Sequence, residues 1–104
     1  MATLRFSRRA EADLLSIGAY TLRTWGADQT FRYIGDLEGC CRTLADHPEL
    51  GRPCDHVRRG LRQMERGRHV VFYREDAGGI LVSRILHQCM LPERQAIDDE
   101  HDWP

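Results

Sequence analysis

Apolar residues recur at helical spacing over residues 8–24, close to the start of the chain. Ala10, Leu14, Ile17 and Thr21 are three or four positions apart and therefore share one face of a helix. This pattern predicts an amphipathic helix that directs these side chains toward a core.

The same helix carries a second apolar stripe. Ala12, Leu15, Ala19 and Leu22 lie roughly 140° around the helix from the first set, at about 100° per residue. A helix with two apolar stripes needs two neighbours, because each stripe is more stable away from water. Two interpretations follow: the sheet and the next helix cover one stripe each, or part of the second stripe is left for a partner protein.

A second helix follows at once and is expected to form an antiparallel hairpin with the first. We expect Asp28 to cap its start and the residues before Pro48 to end it, because proline disfavours helical geometry in the preceding residue. Its core face is predicted from the positions that recur at helical spacing, which are Phe31, Ile34, Leu37, Cys41, Leu44 and Ala45.

Predicted strands lie on both sides of this hairpin in the sequence. Residues 3–6 alternate in polarity and predict a first strand, after which Ser7 is a candidate N-cap, with Glu11 in the early turns of the helix. Residues 60–87 contain β-branched and aromatic runs divided by glycine-centred turns, which predicts a three-stranded antiparallel meander. Residues 47–60 are expected to be an irregular connection.

The middle strand of the meander is apolar on both faces. Val70 and Phe72 lie on one face, and Val71 and Tyr73 lie on the other, as in a strand that is covered on both sides. The helical hairpin covers one side only, so we expect the segment after His87 or another chain to cover the other. The predicted fold is α+β, ordered β-αα-βββ, with a helical hairpin on one face of a small, mainly antiparallel sheet.

Length and composition indicate what kind of protein carries this fold and how far its domain extends. A chain of 104 residues with 41% hydrophobic and 30% charged residues predicts a soluble globular protein. No apolar run approaches the length of a membrane span, so we expect a cytoplasmic protein without membrane association. The predicted domain covers residues 1–94, and residues 95–104 form an acidic C-terminal tail that is expected to be flexible.

Several kinds of chemistry are not indicated. No Gly-x-Ser-x-Gly turn marks a nucleophilic hydrolase. Cys54, Asp55 and His56 are metal-binding residue types without the spacing of a zinc site, and the four cysteines include no Cys-x-x-Cys pair. We therefore expect reduced thiols, no metal and no cofactor.

Metal-independent RNA cleavage is the serious catalytic alternative, and it needs a base, an acid and cations near the phosphate. Arg62 and Arg84 can supply cations, and His87 is well placed to move protons at the end of the last strand. His69 is expected instead to form a cross-strand pair on a half-buried face. All 15 basic residues are arginine, and arginine keeps its proton at neutral pH, so it cannot act as the acid or the base.

Arginines are also concentrated between residues 58 and 68, which gives modest support to nucleic-acid binding. Glu65 interrupts this cluster, aromatic residues are few, and the net charge of the chain is -1. These features argue against direct nucleic-acid binding, because a dedicated phosphate binder is usually strongly basic.

Five segments of the chain stand out together. They are Phe-Ser-Arg-Arg-Ala-Glu-Ala-Asp-Leu (6–14), Trp-Gly-Ala-Asp-Gln (25–29), Pro-Glu-Leu-Gly-Arg-Pro (48–53), Gly-Arg-His-Val-Val-Phe-Tyr-Arg (67–74) and Arg-Ile-Leu-His-Gln-Cys-Met (84–90). In this order they resemble toxins of the ParE branch of the RelE/ParE superfamily, and the likeness extends over residues 6–94. One departure is Gly18, where an aromatic residue is expected after Ile17.

The resemblance implies the toxin of a type II toxin–antitoxin pair, held inactive by a ParD-like antitoxin in a hetero-oligomer. Antitoxins of this family lay an amphipathic helix over the helical hairpin of the toxin, which implies antitoxin binding at Ala12, Leu15, Ala19 and Leu22. In the ParE branch the usual target is DNA gyrase, which is trapped with cleaved DNA. In the RelE branch the target is mRNA in the ribosomal A site.

The residue types favour gyrase poisoning over mRNA cleavage. A RelE-type ribonuclease is expected to carry lysines as well as arginines on its sheet, and a tyrosine or histidine near its C-terminus. This chain has no lysine and no tyrosine after Tyr73. We therefore expect an inhibitor of a topoisomerase rather than an enzyme. A ribosome-dependent ribonuclease and a non-toxic interaction module with the same fold stay open as alternatives. The expected target contacts are Arg62, Arg84, His87, Met90 and Arg94.

Overall fold

The computed structural model describes residues 2–90 and Pro92. The predicted order of a strand, a helical hairpin and a three-stranded meander is confirmed. Arg94 and the predicted tail at residues 95–104 lie outside the described residues. The elements are β1 (Thr3–Phe6), α1 (Arg8–Trp25), α2 (Ala27–Asp46), a short 3₁₀ helix (Pro48–Leu50), β2 (Arg52–Pro53), β3 (Arg62–Arg66), β4 (His69–Asp76) and β5 (Gly79–His87).

The strands form one five-stranded sheet in the order β1-β5-β4-β3-β2. β1 runs parallel to β5, and every other neighbouring pair is antiparallel, so the predicted mainly antiparallel sheet is confirmed. The first strand of the chain thus lies beside the last strand, and this pairing brings the start of α1 to the end of the meander. The connection over residues 47–60 is more regular than expected, because it contains the 3₁₀ helix and β2.

Ser7 starts α1 and also fastens it to the sheet. Its side-chain oxygen accepts a hydrogen bond from the backbone N–H of Ala10 at 3.0 Å, as predicted for an N-cap. The same hydroxyl donates to the carbonyl of Ser83 at 2.7 Å, and the backbone N–H of Ser7 donates to the carbonyl of Val82 at 2.9 Å. These bonds continue the edge of β5 after β1 has ended.

The two helices are joined by Gly26 alone. Its φ of 88° is a conformation that glycine adopts without the steric penalty of a Cβ atom, and its N–H donates to the carbonyl of Leu22 at 3.1 Å. The prediction that Asp28 caps α2 is wrong, because Gly26 occupies the N-cap position and α2 begins at Ala27. Asp28 lies instead in the first turn, where its charge complements the helix dipole.

The main core lies between the helices and one face of the sheet. The predicted α1 positions Ala10, Ile17 and Thr21 are buried, and α2 buries four of its predicted positions. Phe31 is a wrong prediction, because its side chain is 84% exposed. It lies about 120° around the helix from the buried Leu37, which places it beyond the edge of the core face.

A smaller core covers the opposite face of the sheet. Phe72 and Leu86 pack there against Cys54 and Leu61, with Val57 and Val70 at the margin. The segment before β3 therefore covers this face, and the expectation that the segment after His87 or another chain would do so is wrong. The backbone N–H of Cys54 donates to the carbonyl of Leu61 at 2.8 Å, which closes the covering segment into a compact loop.

Candidate functional site

A groove of about 860 Å³ runs between one flank of α1 and the ends of β4 and β5. Its walls combine aromatic rings with imidazoles and one guanidinium, a mixture that suits a ligand with both flat and anionic parts. The residues that give it this character are Tyr20, Trp25, Tyr33, Arg68, His69 and His87, and Met90 lies at its end.

Two histidines face each other across neighbouring strands in this groove. His69 on β4 is the direct register partner of His87 on β5, and their ring centroids are 5.5 Å apart in an edge-to-face arrangement. Both residues are half-buried. The expected cross-strand pairing of His69 is therefore confirmed, and its partner is the histidine that the sequence identified as a functional candidate.

Each imidazole is oriented through its Nδ1 atom. The hydroxyl of Tyr33 lies 2.6 Å from Nδ1 of His69, and the backbone N–H of Cys89 donates to Nδ1 of His87 at 3.1 Å. The Tyr33 hydroxyl accepts from the N–H of Arg68 at 3.0 Å, and the carbonyl of Arg66, the other acceptor near it, is 3.5 Å away. We therefore assign the Tyr33 proton to the shorter contact, with Nδ1 of His69. With Nδ1 as acceptor on both rings, we assign the proton of each neutral imidazole to Nε2.

The groove favours the neutral form of His69. Partial burial, and to a smaller extent the imidazole of His87, lower the pKa of His69 below its ordinary value of 6.5, while Asp13 opposes this shift. His69 is therefore held as a neutral imidazole at neutral pH.

Arg84, a predicted target contact, is committed to a contact within the fold. Its guanidinium forms a two-point ion pair with Asp13 of α1, and both side chains are largely buried. Sequence reasoning missed Asp13. A signal was present, because Asp13 lies one helical turn from both Ala10 and Ile17 and so places a carboxylate at the margin of the core face.

Arg62 lies apart from the other candidates. Arg62 begins β3, and through Tyr73 of β4 it is level with Val82 of β5. His87, through His69 of β4, is level with Arg66 at the other end of β3. Nη1 of Arg62 donates to the carbonyl of Gly51 at 2.6 Å. The structure thus brings His87 and Met90 together and leaves Arg62 at a distance, so the three residues proposed for RNA cleavage do not form one cluster.

Met90 remains close to the groove because the chain turns directly after β5. Its backbone N–H donates to the carbonyl of His87 at 2.9 Å, and its side chain is partly exposed. Sequence reasoning did not identify Tyr20, Trp25 or Tyr33 as site residues, since their positions in the sequence give no sign that they converge. It considered Arg68 only as part of the arginine cluster between residues 58 and 68.

The second apolar stripe of α1 forms a separate surface. Leu15 is 77% exposed and Leu22 is 53% exposed, and the two alanines of the stripe, Ala12 and Ala19, are exposed as well. The interpretation in which α2 covers this stripe is therefore wrong.

Neither helix of the described residues combines the length and the apolarity that crossing a membrane requires.

The fold is similar to a solved structure described as a chromosomal ParDE toxin–antitoxin system from P. aeruginosa. The TM-score is 0.71 at 22% sequence identity, and the match covers 84% of this chain and 96% of that chain. At this identity the likeness concerns the fold alone.

Sequence comparison identifies the family. A model described as the ParE toxin of the type II toxin–antitoxin system parDE matches residues 4–92. Toxin ParE1 of Caulobacter vibrioides is 40% identical over 90 residues, which cover 86% of this chain and 93% of that protein. Toxin ParE1 of Mycobacterium tuberculosis is 38% identical, with 85% and 91% covered, and Toxin ParE of Escherichia coli is 37% identical, with 86% and 88% covered. This chain therefore belongs to the ParE toxin family of type II toxin–antitoxin systems, and the predicted resemblance is confirmed.

Proposed function

We propose that this toxin poisons DNA gyrase and that a ParD-like antitoxin holds it inactive by covering the second apolar stripe of α1. Family membership supports a toxin with a cognate antitoxin. The observation that carries the antitoxin site is the exposure of Leu15 and Leu22 on one face of a helix. Soluble proteins rarely leave a contiguous apolar surface open unless a partner covers it.

The spacing of the stripe indicates how a partner helix would pack. Ala12, Leu15, Ala19 and Leu22 follow the alternating three- and four-residue spacing of a coiled-coil seam, and they alternate small with large side chains. Large residues of an antitoxin helix would fit over the alanines, and the two leucines would enter spaces on that helix. The expected recognition mode is an amphipathic helix on an apolar helix face.

Substitution of the leucines tests the antitoxin site. Leu15→Glu combined with Leu22→Glu should arrest bacterial growth as the parent chain does, and co-expressed ParD-like antitoxin should no longer rescue that growth. Leu50→Glu is the matched control, because Leu50 is also an exposed leucine but lies on the 3₁₀ helix. Full rescue of the double variant by the antitoxin would remove this surface from the proposal.

We favour gyrase poisoning through contact over RNA cleavage because both arginines considered for that cleavage are bound within the fold. Arg84 is bound to Asp13, and Arg62 is bound to the backbone of Gly51. This leaves the end of β5, with His87 and Met90, as the proposed target contact, and Arg94 follows it in the sequence.

Purified toxin incubated with gyrase and supercoiled plasmid should yield cleaved gyrase–DNA complexes. His87→Gln should reduce their yield, whereas His56→Gln, at an exposed histidine of the loop before β3, should not. Normal supercoiling at high toxin excess would overturn the proposal. Cleavage of mRNA within translated codons, lost with His87→Ala, would replace it with the ribonuclease alternative.

A further inference from the structure

The groove beside α1 gathers aromatic residues that are far apart in the sequence. Tyr20 and Trp25 are 58% and 60% exposed although both are large, and Tyr33 stands behind them with its ring centroid 5.5 Å from that of His69. Exposed flat rings beside a cationic side chain, here Arg68, are the arrangement with which proteins bind single-stranded nucleic acid.

We propose that this groove binds a short unpaired stretch of DNA strand, with bases stacked on Tyr20 and Trp25 and phosphates held by Arg68 and the Nε2–H group of His69. The choice of DNA rests on the proposed function, because the gyrase complex that this toxin is proposed to trap contains cleaved DNA. Binding to DNA would add a second contact to that complex beside the contact with the protein.

The polar groups of the groove are available for phosphate. Among residues 2–90 and Pro92, no carboxylate is within ion-pair distance of the Arg68 guanidinium, and neither imidazole uses its Nε2 atom in a hydrogen bond. A side-chain N–H that points at a phosphate oxygen positions the strand without reading its sequence. The groove therefore suits strand binding without a strong sequence preference.

One acidic group, Asp13, lies in the same groove, and its charge is satisfied within the protein. Its carboxylate accepts both hydrogen bonds from Arg84 and a third from the backbone N–H of Ile85 at 2.9 Å. The ion pair as a whole is neutral, so it does not oppose a phosphate as a free carboxylate would.

Hydrogen bonds already formed along the neighbouring sheet edge disfavour an extended peptide as the occupant. A peptide that added to β5 beyond the end of β1 would need its free carbonyl and N–H groups. Ser7 already donates to the carbonyls of Val82 and Ser83, and Asp13 already accepts from the N–H of Ile85. With these three groups already bonded, we take the rings and the side-chain donors as what the groove offers to a ligand.

This inference differs from the expectation drawn from sequence, in which few aromatics and a net charge of -1 argued against nucleic-acid binding. Those quantities are averages over the chain. The fold concentrates three of the aromatic rings, two imidazoles and Arg68 in one place, and a strand of nucleic acid binds the local surface.

Fluorescence anisotropy of a labelled decathymidylate at low ionic strength tests the proposal with the full chain alone. Trp25→Ala should weaken binding about tenfold, as expected for the loss of one base–aromatic stack. Arg68→Gln should weaken binding and lower the slope of log K against log salt by about 0.7, which corresponds to one phosphate contact on a single strand.

Matched controls lie outside the groove. Phe31→Ala removes an exposed aromatic ring of α2, and Arg59→Gln removes an exposed guanidinium, and neither should change the affinity. Circular dichroism establishes that each variant is folded. Absence of binding by the parent chain, an equal loss in the controls, or equal affinity for duplex DNA would overturn the proposal, and tighter binding of the matching RNA would overturn the assignment to DNA.

The result is separable from the gyrase proposal because neither gyrase nor antitoxin is present. A toxin that traps gyrase but does not bind the oligonucleotide would refute the groove assignment alone. A toxin that binds the oligonucleotide but leaves gyrase unaffected would refute the target alone.

Discussion

Arg84 of β5 and Asp13 of α1 form a two-point ion pair that fastens the helix to the sheet. Nε of Arg84 donates to Oδ2 of Asp13 at 2.8 Å, and Nη2 donates to Oδ1 at 2.9 Å. The two side chains are only 12% and 15% exposed. Because an arginine bound in this way is not free for another molecule, any loss of toxicity on its substitution must be separated from a loss of stability.

Breaking this pair should destabilise the protein strongly. Asp13→Ala leaves a largely buried guanidinium without its carboxylate, and the free energy of unfolding should fall by about 3–5 kcal/mol in urea denaturation. Glu65→Ala is the matched control, because Glu65 pairs with Arg52 at the same distance of 2.8 Å but on the exposed surface. That substitution should cost about 1 kcal/mol or less. Similar losses in both variants would contradict the structural role assigned to Asp13.

Two phenylalanines with opposite environments should respond differently to truncation. Phe72→Ala empties a position in the smaller core and should lower the free energy of unfolding by about 3–5 kcal/mol. Phe31→Ala should change it by about 0.5 kcal/mol or less, since the ring is already in water. Chemical denaturation of both variants checks the prediction, and a large loss for Phe31→Ala would place that side chain back in the core.

His69 should make stability depend on pH. Its pKa is lower in the folded protein than its ordinary value of 6.5, so the unfolded chain binds more protons. The stability it contributes is complete above pH 6.5 and is lost as the pH falls through that value toward its folded pKa. Free energies of unfolding from pH 8 to pH 5 should therefore decrease more for the parent chain than for His69→Gln. A constant difference between the two proteins would contradict the lowered pKa.

The cysteines should differ sharply in their reactivity. Burial is the main cause that raises the pKa of Cys41 to about 12, and burial also raises the pKa of Cys54, so little of either thiol is ionised at pH 8. Cys89 is exposed. Iodoacetamide should modify Cys89 first, and Cys41 and Cys54 only when the protein unfolds, as measured by mass spectrometry of proteolytic peptides. Rapid modification of Cys41 under native conditions would show that the helices open without global unfolding.

Much of the fold could be predicted because its signals are local. The apolar spacing of α1, the N-cap at Ser7 and the glycine turns of the meander each depend on residues close together in the chain. The errors occurred where one element meets another. Asp28 was predicted as a cap because its residue type suits one, but Gly26 takes that position since the connection is a single residue. Helical spacing with Ile34 puts Phe31 on the predicted core face, whereas in the structure its side chain lies beyond the edge of the core and is exposed to solvent.

By itself, the sequence determined the class of fold and the family to which the chain belongs. It also located the second apolar stripe of α1, but it left open whether the fold covers that stripe or leaves it exposed. Only the tertiary structure decided which candidate residues meet. Tyr33 and His69 are 36 positions apart, and Asp13 and Arg84 are 71 apart, and no periodic pattern connects residues so distant. Asp13 and Arg84 come together because β1 pairs with the last strand and carries α1 across it. Tyr33 reaches His69 because α2 packs against the same sheet. The physical reason is that periodicity reports only which face of an element is buried, whereas the order of the strands determines what that face contacts.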